Sequence, residues 1–213
     1  SDLLDPSGRF LYTADSGSAT LSAFSVAANG SLSALGTEAT GATPLAVAFD
    51  PAGRFAYVAN SSEDTLSAFA LDPRTGDLTE LLPRVNAVGR PRGLTLHPSG
   101  RFLYVALESA DVVAVFEVAS EDGRLTLASA QFSETAPTAV AVDPRGRDAF
   151  SANYALSTTG NIASFAIDPT TGGLTPIETV FAGNNPISVA ADPSGRYVYS
   201  VNERSDDVSV FRL

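Results

Sequence analysis

The sequence has no cysteine, no methionine and no tryptophan, and all 13 of its basic residues are arginine. Without cysteine there is no disulfide, no thiol nucleophile and no thiolate metal site. Without lysine there is no phosphate-cradling Gly-x-x-x-x-Gly-Lys loop. A single histidine, His97, excludes an ordinary multi-histidine zinc centre. No Gly-x-Ser-x-Gly elbow occurs with a plausible histidine partner. Apolar runs are of strand length, well short of the roughly 18–20 residues that a membrane-spanning helix needs. No segment sustains a 3.6-residue apolar period, so almost no helix is expected.

What is present suits a globular chain: 44% of the 213 residues are hydrophobic and 17% are charged. That length fits one all-β domain. The net charge of −11 repels phosphate backbones and anionic lipid, so neither nucleic acid nor membrane insertion is expected. No signal-peptide pattern precedes Ser1, and a cytosolic, mature or excised chain is expected.

One phrase recurs along the chain. Asp5-Pro-Ser-Gly-Arg9 returns as Asp50-Pro-Ala-Gly-Arg54, His97-Pro-Ser-Gly-Arg101, Asp143-Pro-Arg-Gly-Arg147 and Asp192-Pro-Ser-Gly-Arg196. Its glycines lie 45, 47, 46 and 49 residues apart. Each copy is a turn: proline sets φ near −65°, glycine accepts positive φ, and the aspartate bonds nearby N–H groups. His97 takes the aspartate slot, where its ring is expected to cap the turn.

Around each turn lie strands. Strand A precedes it (Leu45–Phe49, Gly93–Leu96, Thr138–Val142, Ile187–Ala191), and strand B follows (Phe10–Ala14, Phe55–Ala59, Phe102–Ala106, Asp148–Ala152, Tyr197–Val201). Strand C alternates towards a recurring phenylalanine (Phe24, Phe69, Phe116, Phe165, Phe211), read as a wedge between sheets. Gly-x-Leu turns then open strand D. Such a meander buries its faces only by packing copies radially, which makes the fold class an all-β propeller with five four-stranded repeats. The repeats run approximately 1–43, 44–90, 91–136, 137–185 and 186–213. The first has only a stub of strand A, and the last lacks its outer strand. Two arrangements follow: a narrow five-bladed ring, or part of a larger propeller whose exposed edge invites self-association through the incomplete last blade.

Phrases such as Asp192-Pro-Ser-Gly-Arg-Tyr-Val-Tyr-Ser-Val-Asn202 and Asp207-Val-Ser-Val-Phe211 resemble the YVTN-type repeats of lactonase-like β-propellers, over the whole chain. That superfamily includes 6-phosphogluconolactonase-type and carboxymuconate-lactonising enzymes, and surface and periplasmic proteins without known activity. The resemblance implies seven blades as the usual number and favours a periplasmic or extracellular location, although composition leaves the compartment unknown. The enzymes have a Gly-Pro-Arg-His-like start to one A strand. Here Gly89-Arg-Pro-Arg-Gly93 keeps the arginine as Arg92 and puts Gly93 in the histidine position. Of an Asn-Glu-Leu-like loop, only Glu108 survives; a loop like Asn-Arg-Gly-His-Asp reads Asn202-Glu-Arg-Ser-Asp206.

Meander geometry puts the A–B and C–D turns at one end of the blades and the B–C and D–A loops at the other, where function is expected. Candidate ligand-binding residues there are Arg84, Arg90, Arg92, Glu108, Asn60, Asn153, Asn202 and Arg204. Three arginines within residues 84–92 stand out in so acidic a chain and suit carboxylate or phosphate. Pairing with neighbouring acidic loops is the favoured explanation of them. Glu63-Asp64 and Asp206-Asp207 offer hard oxygens for calcium but lack the spacing of a calcium loop, so no metal and no cofactor are expected.

The leading reading is a non-enzymatic scaffold that binds a protein or small anionic ligand on the B–C/D–A face. The alternative is a divergent lactonase-like enzyme, acting on a carboxylated or phosphorylated lactone through Arg92 and Glu108. A third reading is an engineered propeller fragment.

Overall fold

A twisted antiparallel meander with two apolar faces can bury them only against other sheets. In the computed structural model, which describes residues 2–154 and 159–213, the repeats do this side by side as five blades. Blade one is β1 (Asp2–Leu4), β2 (Phe10–Asp15), β3 (Thr20–Val26) and β4 (Leu32–Ala39). Blade two is β5 (Pro44–Phe49), β6 (Phe55–Asn60), β7 (Thr65–Leu71) and an outer strand in two pieces, β8 (Leu78–Glu80) and β9 (Val85–Asn86). Pro83 lies in the break, where a residue without an N–H cannot serve the ladder. Blade three is β10 (Pro91–Leu96), β11 (Phe102–Leu107), β12 (Val112–Val118) and β13 (Leu125–Phe132). Blade four is β14 (Pro137–Val142), β15 (Asp148–Asn153), β16 (Asn161–Ile167) and β17 (Leu174–Phe181). Blade five has three strands, β18 (Pro186–Ala191), β19 (Tyr197–Asn202) and β20 (Asp207–Arg212). The expected strands fall inside these ranges, and among the described residues the only helical element is a 3₁₀ turn at Glu108–Ala110. The A strands touch one another, β10 packing on β5 and β14, and β14 on β18, so they form the inner edge of the fan.

The A–B turns are held by their first residue. The Asp50 carboxylate accepts the N–H of Phe55 at 2.7 Å, and Gly53, at φ +66°, donates to the Asp50 carbonyl. His97 caps its turn too, its Nδ1 accepting the Ser99 N–H at 3.0 Å. Its Nε2 reaches 3.0 Å to the Gly146 carbonyl of the next blade's turn, so it also stitches blades three and four.

Blades are joined by a clasp that the repeat spells out. Tyr12, Tyr57 and Tyr104 are fully buried and donate their hydroxyls to the carbonyls of Gly76, Gly123 and Gly172, in the C–D turn of the following blade, at 2.6, 3.0 and 3.0 Å. Burial raises all three phenols well above their usual range, which keeps them as donors. Each of those glycines lies flat on a phenylalanine of the preceding blade. A Cβ on Gly123, for instance, would collide with the Phe55 ring, while its φ of +71° already favours glycine. Two residues on, Leu78, Leu125 and Leu174 enter the inter-blade cores. The turn arginines complete the joint: Arg54 and Arg101 donate to the Ser120 and Thr170 carbonyls at 3.0 and 3.3 Å and stack over Phe55 and Phe102.

At the ends of the fan the halves of this clasp stand open. Tyr199 holds the clasp-tyrosine position in blade five but is 38% exposed, and Val201, Val208 and Val210 beside it are exposed as well. In blade one Gly30 has nothing within 4 Å of where a Cβ would be, and Leu32 is 50% exposed. A closed five-bladed ring would bury these faces on each other; the arrangement that forms leaves them uncovered.

Replacing Tyr57 by Phe should cost about 1–2 kcal/mol in urea unfolding, because a buried carbonyl loses its donor. Tyr199→Phe should stay within about 0.5 kcal/mol, as an exposed substitution does; equal losses at both would contradict the clasp. The Asp192 carboxyl is held at about 2, first by the Ser194 hydroxyl and then by N–H groups of Tyr197, Arg196 and Ser194. Since that lies below the ordinary 3.8, its contribution is present above the ordinary value and is lost as pH falls towards 2. An NMR titration should place its midpoint near 2, and Ser194→Ala should move it upwards.

Candidate functional site

In blades two to five the D–A loop is strapped to the B–C loop of the same blade by backbone bonds. In blade three Glu108 N–H donates to the Arg90 carbonyl at 3.2 Å and Ser109 N–H to the Gly89 carbonyl at 2.9 Å. Equivalent bonds join Ser61 to Thr43, Tyr154 to Ala136 and Glu203 to Asn185. The residue giving the carbonyl is left-handed each time, at φ 56° for Thr43, 57° for Arg90, 47° for Ala136 and 57° for Asn185. Asp64 fixes the blade-three loop further, its Oδ1 accepting the Arg90 N–H at 2.7 Å. Asp111 does the same for Ala136.

This strap builds the one cluster of candidate residues. Pro91 begins β10, and Arg92 follows at a bulge between Pro91 and Gly93, unpaired in the ladder with β11. A bulge re-aims the side chain it carries. Arg92 Nη1 lies 2.8 Å from Glu108 Oε1, and Arg90 Nη1 lies 3.4 Å from Glu108 Oε2. The Glu108 side chain is 15% exposed, against 37% for Arg92 and 60% for Arg90. Glu108 Oε2 is buried yet accepts no hydrogen bond among the described residues; the Arg90 contact is an ion pair without bonding geometry. A half-satisfied carboxylate in the B–C loop, between two guanidinium groups, can take a further donor such as water.

Gly93, where the family pattern suggests histidine, has a reason of its own. A Cβ there would lie 2.7 Å from Ala139 Cα and 2.8 Å from the Thr138 carbonyl, both in the neighbouring inner strand. No side chain fits without moving β14.

The other candidates stand apart from this cluster. Arg84 pairs with Glu80 at 2.7 Å and Glu63 at 3.1 Å, and these bonds, Glu80 first, raise its pKa further. All three arginines of 84–92 thus have acidic partners, as pairing with nearby loops predicts. Asn60, Asn153 and Asn202 are buried at the ends of their B strands and brace their own hairpins. Asn60 donates to Thr65 and Ser67, Asn153 to Asn161, and Asn202 to Asp207 and Ser209. Arg204 lies over the Tyr154 ring at 6.0 Å. The acidic pairs have structural partners as well: Glu63 accepts the Ala42 N–H at 2.9 Å, and Asp207 accepts from Asn202 and Ser205 at 2.8 Å. Among the described residues no three His, Cys, Asp or Glu converge as a metal site.

The left-handed straps, and the part that Asp64 and Asp111 play in holding them, are not foreseen in the sequence. Their signal is faint but present: Ala19, Asp64, Asp111 and Asp206 occupy one left-handed position at the end of the B–C loop, where aspartate is tolerated.

With the fan and its inner Arg–Glu cluster defined, comparison with known proteins places the chain. The family profile "Lactonase, 7-bladed beta-propeller" matches residues 3–88, 80–142 and 131–213. The chain belongs to that family of seven-bladed lactonase propellers. A solved structure described as a candidate 6-phosphogluconolactonase from Bacteroides uniformis is 25% identical, with a TM-score of 0.87 over 96% of this chain and 64% of that one. The Pseudomonas aeruginosa periplasmic gluconolactonase is 23% identical, with a TM-score of 0.83 over 99% of this chain and 65% of that one; it shares the fold. A Lactobacillus plantarum protein, 19% identical, superposes with a TM-score of 0.86 over 99% of this chain and 66% of that one. The chain therefore spans just under two thirds of these structures. No curated protein matches it. The family match favours the lactonase-like reading over the non-catalytic scaffold that the missing histidines put first.

Because Gly93 touches backbone, Gly93→Ala should destabilise the protein by about 1–3 kcal/mol through overpacking. Gly17→Ala, with open space around it, should be close to neutral in the same thermal-unfolding series; the reverse order would contradict the close approach of β10 and β14.

Proposed function

We propose that the chain carries the acid–base site of a lactonase-type propeller and opens the ring of a small anionic sugar lactone. The observation that carries this reading is the Arg92–Glu108 pair on the inner edge, with one carboxylate oxygen left without a donor. Membership of the lactonase family supports it.

In this reading Glu108 Oε2 accepts a proton from a water molecule as its oxygen adds to the lactone carbonyl. The new acyl C–O bond forms, the ring C–O bond breaks, and the proton passes to the departing ring oxygen, leaving a hydroxy acid. Arg92 holds Glu108 in place through Oε1 and offers its remaining N–H groups to the developing oxyanion. Arg90, the more exposed of the two, suits the substrate's carboxylate or phosphate. Histidine has no part, because its family position is filled by Gly93 and backbone.

Hydrolysis of glucono-δ-lactone and of its 6-phosphate tests this, followed as acid release above the uncatalysed rate. Glu108→Gln should lower kcat/KM by about a hundredfold or more, the scale of a lost general base, with thermal unfolding unchanged. Turnover no faster than buffer, or turnover that survives Glu108→Gln, would overturn the reading.

A further inference from the structure

In the proposed reaction water gives its proton to Glu108 Oε2, yet the fold shields that atom. Oε2 is buried and accepts no hydrogen bond among the described residues. The charged group set against it is the Arg90 guanidinium, whose Nη1 lies 3.4 Å away without bonding geometry. The other oxygen is held differently, since Arg92 Nη1 donates to Oε1 at 2.8 Å. One arginine clamps the carboxylate and the other leans on it. The main chain of Arg90 is pinned: its N–H donates to Asp64 Oδ1 at 2.7 Å, and its carbonyl accepts the Glu108 N–H at 3.2 Å. Its side chain is 60% exposed, and exposed side chains change rotamer in picoseconds to nanoseconds. Blade five carries the same arrangement in closed form. Glu203 stands where Glu108 does, its N–H donating to the Asn185 carbonyl, and Asn185 Nδ2 donates directly to Glu203 Oε2. Blade three puts a long cation with a loose contact in place of that bonded, uncharged amide.

We propose that Arg90 is an anion-operated cover for the Glu108 carboxylate: a phosphate or carboxylate on the ligand draws the guanidinium away and opens Oε2 to water. This rests on the acid–base reading of Glu108 and adds a requirement to it, that the substrate's own anion uncovers the base. The exchange favours the ligand. A guanidinium fork pairs bidentately with phosphate or carboxylate, whereas an exposed ion pair without bond geometry contributes little. A modest difference in contact is then enough to shift the population of the side chain. The substrate class narrows accordingly to lactones that carry an anionic group. A neutral lactone leaves the cover shut.

Inorganic phosphate is the probe. With glucono-δ-lactone, which has no anion of its own, added phosphate at constant ionic strength should raise the protein-dependent rate of ring opening until it saturates. Arg90→Ala should open the same lactone faster than the native protein in phosphate-free buffer, and should no longer respond to phosphate. Alanine suits that backbone, since Ala136 holds the same left-handed position in blade four. A rate indifferent to phosphate, or an Arg90→Ala protein slower on the neutral lactone, would overturn the cover and leave the lactonase reading standing. Absence of turnover with every lactone would count against that reading alone, and binding of phosphate by calorimetry then decides about the cover. Arg90→Ala should weaken it about tenfold, the loss of one charge-assisted contact. Glu108→Asp keeps the charge but withdraws the carboxylate by one methylene, and should tighten phosphate binding several-fold because Arg90 is released. Phosphate affinity unchanged by either substitution would show that the two anions do not compete for Arg90.

Discussion

The structure rests on burial between blades, since a single four-stranded meander has two apolar faces and no partner of its own. The clasp makes that burial specific. One phenol hydroxyl, one glycine carbonyl, one ring under a bare Cα and one leucine recur at each of the first three joints. Each element depends on the others. The glycine must lack a side chain because the ring lies beneath it, and the phenol must be buried because the leucine closes the gap. Leaving any one of them unpaired in the low-dielectric joint costs more than the bond itself contributes in water.

The joint between blades four and five departs from this pattern on both sides. Asp148 and Phe150 replace the aromatic ring and the phenol, and blade five has no C–D turn among its strands to receive them. Burial and the neighbouring Asp143 raise the Asp148 carboxyl above its ordinary value. A position that is aromatic in the other joints thus carries a carboxylate at this one.

Rigidity at the turn end has a counterpart at the loop end, where the candidate site lies. Backbone bonds tie the D–A loop to the B–C loop in blades two to five, and in blade three they bring Arg90 and Arg92 to Glu108. The site is therefore positioned by main chain, and its side chains have only to choose a rotamer. That suits a function built by varying a few loop residues on a constant frame. It also explains how a family histidine can give way to Gly93 without loss of the fold.

Much of this was legible in the residues and some was not. Turn phrases, strand periods and the wedge phenylalanines act locally, through φ preferences and face alternation, and a linear sequence records such constraints directly. His97 was readable as a turn cap for the same reason, but its bond to Gly146 depends on the spacing of two blades. Arg84, Arg90 and Arg92 look like one cluster in sequence, yet a bulge and a strap send two of them to Glu108 and the third to Glu80 and Glu63. Asn60, Asn153 and Asn202 look like loop ligands and are buried braces, because the B strands run to their ends before the turn begins. By itself the sequence determined five copies of one β unit, since each copy repeats its own short-range physics. Only tertiary structure decided which carboxylate meets which arginine, since that follows from contacts between residues far apart in the chain.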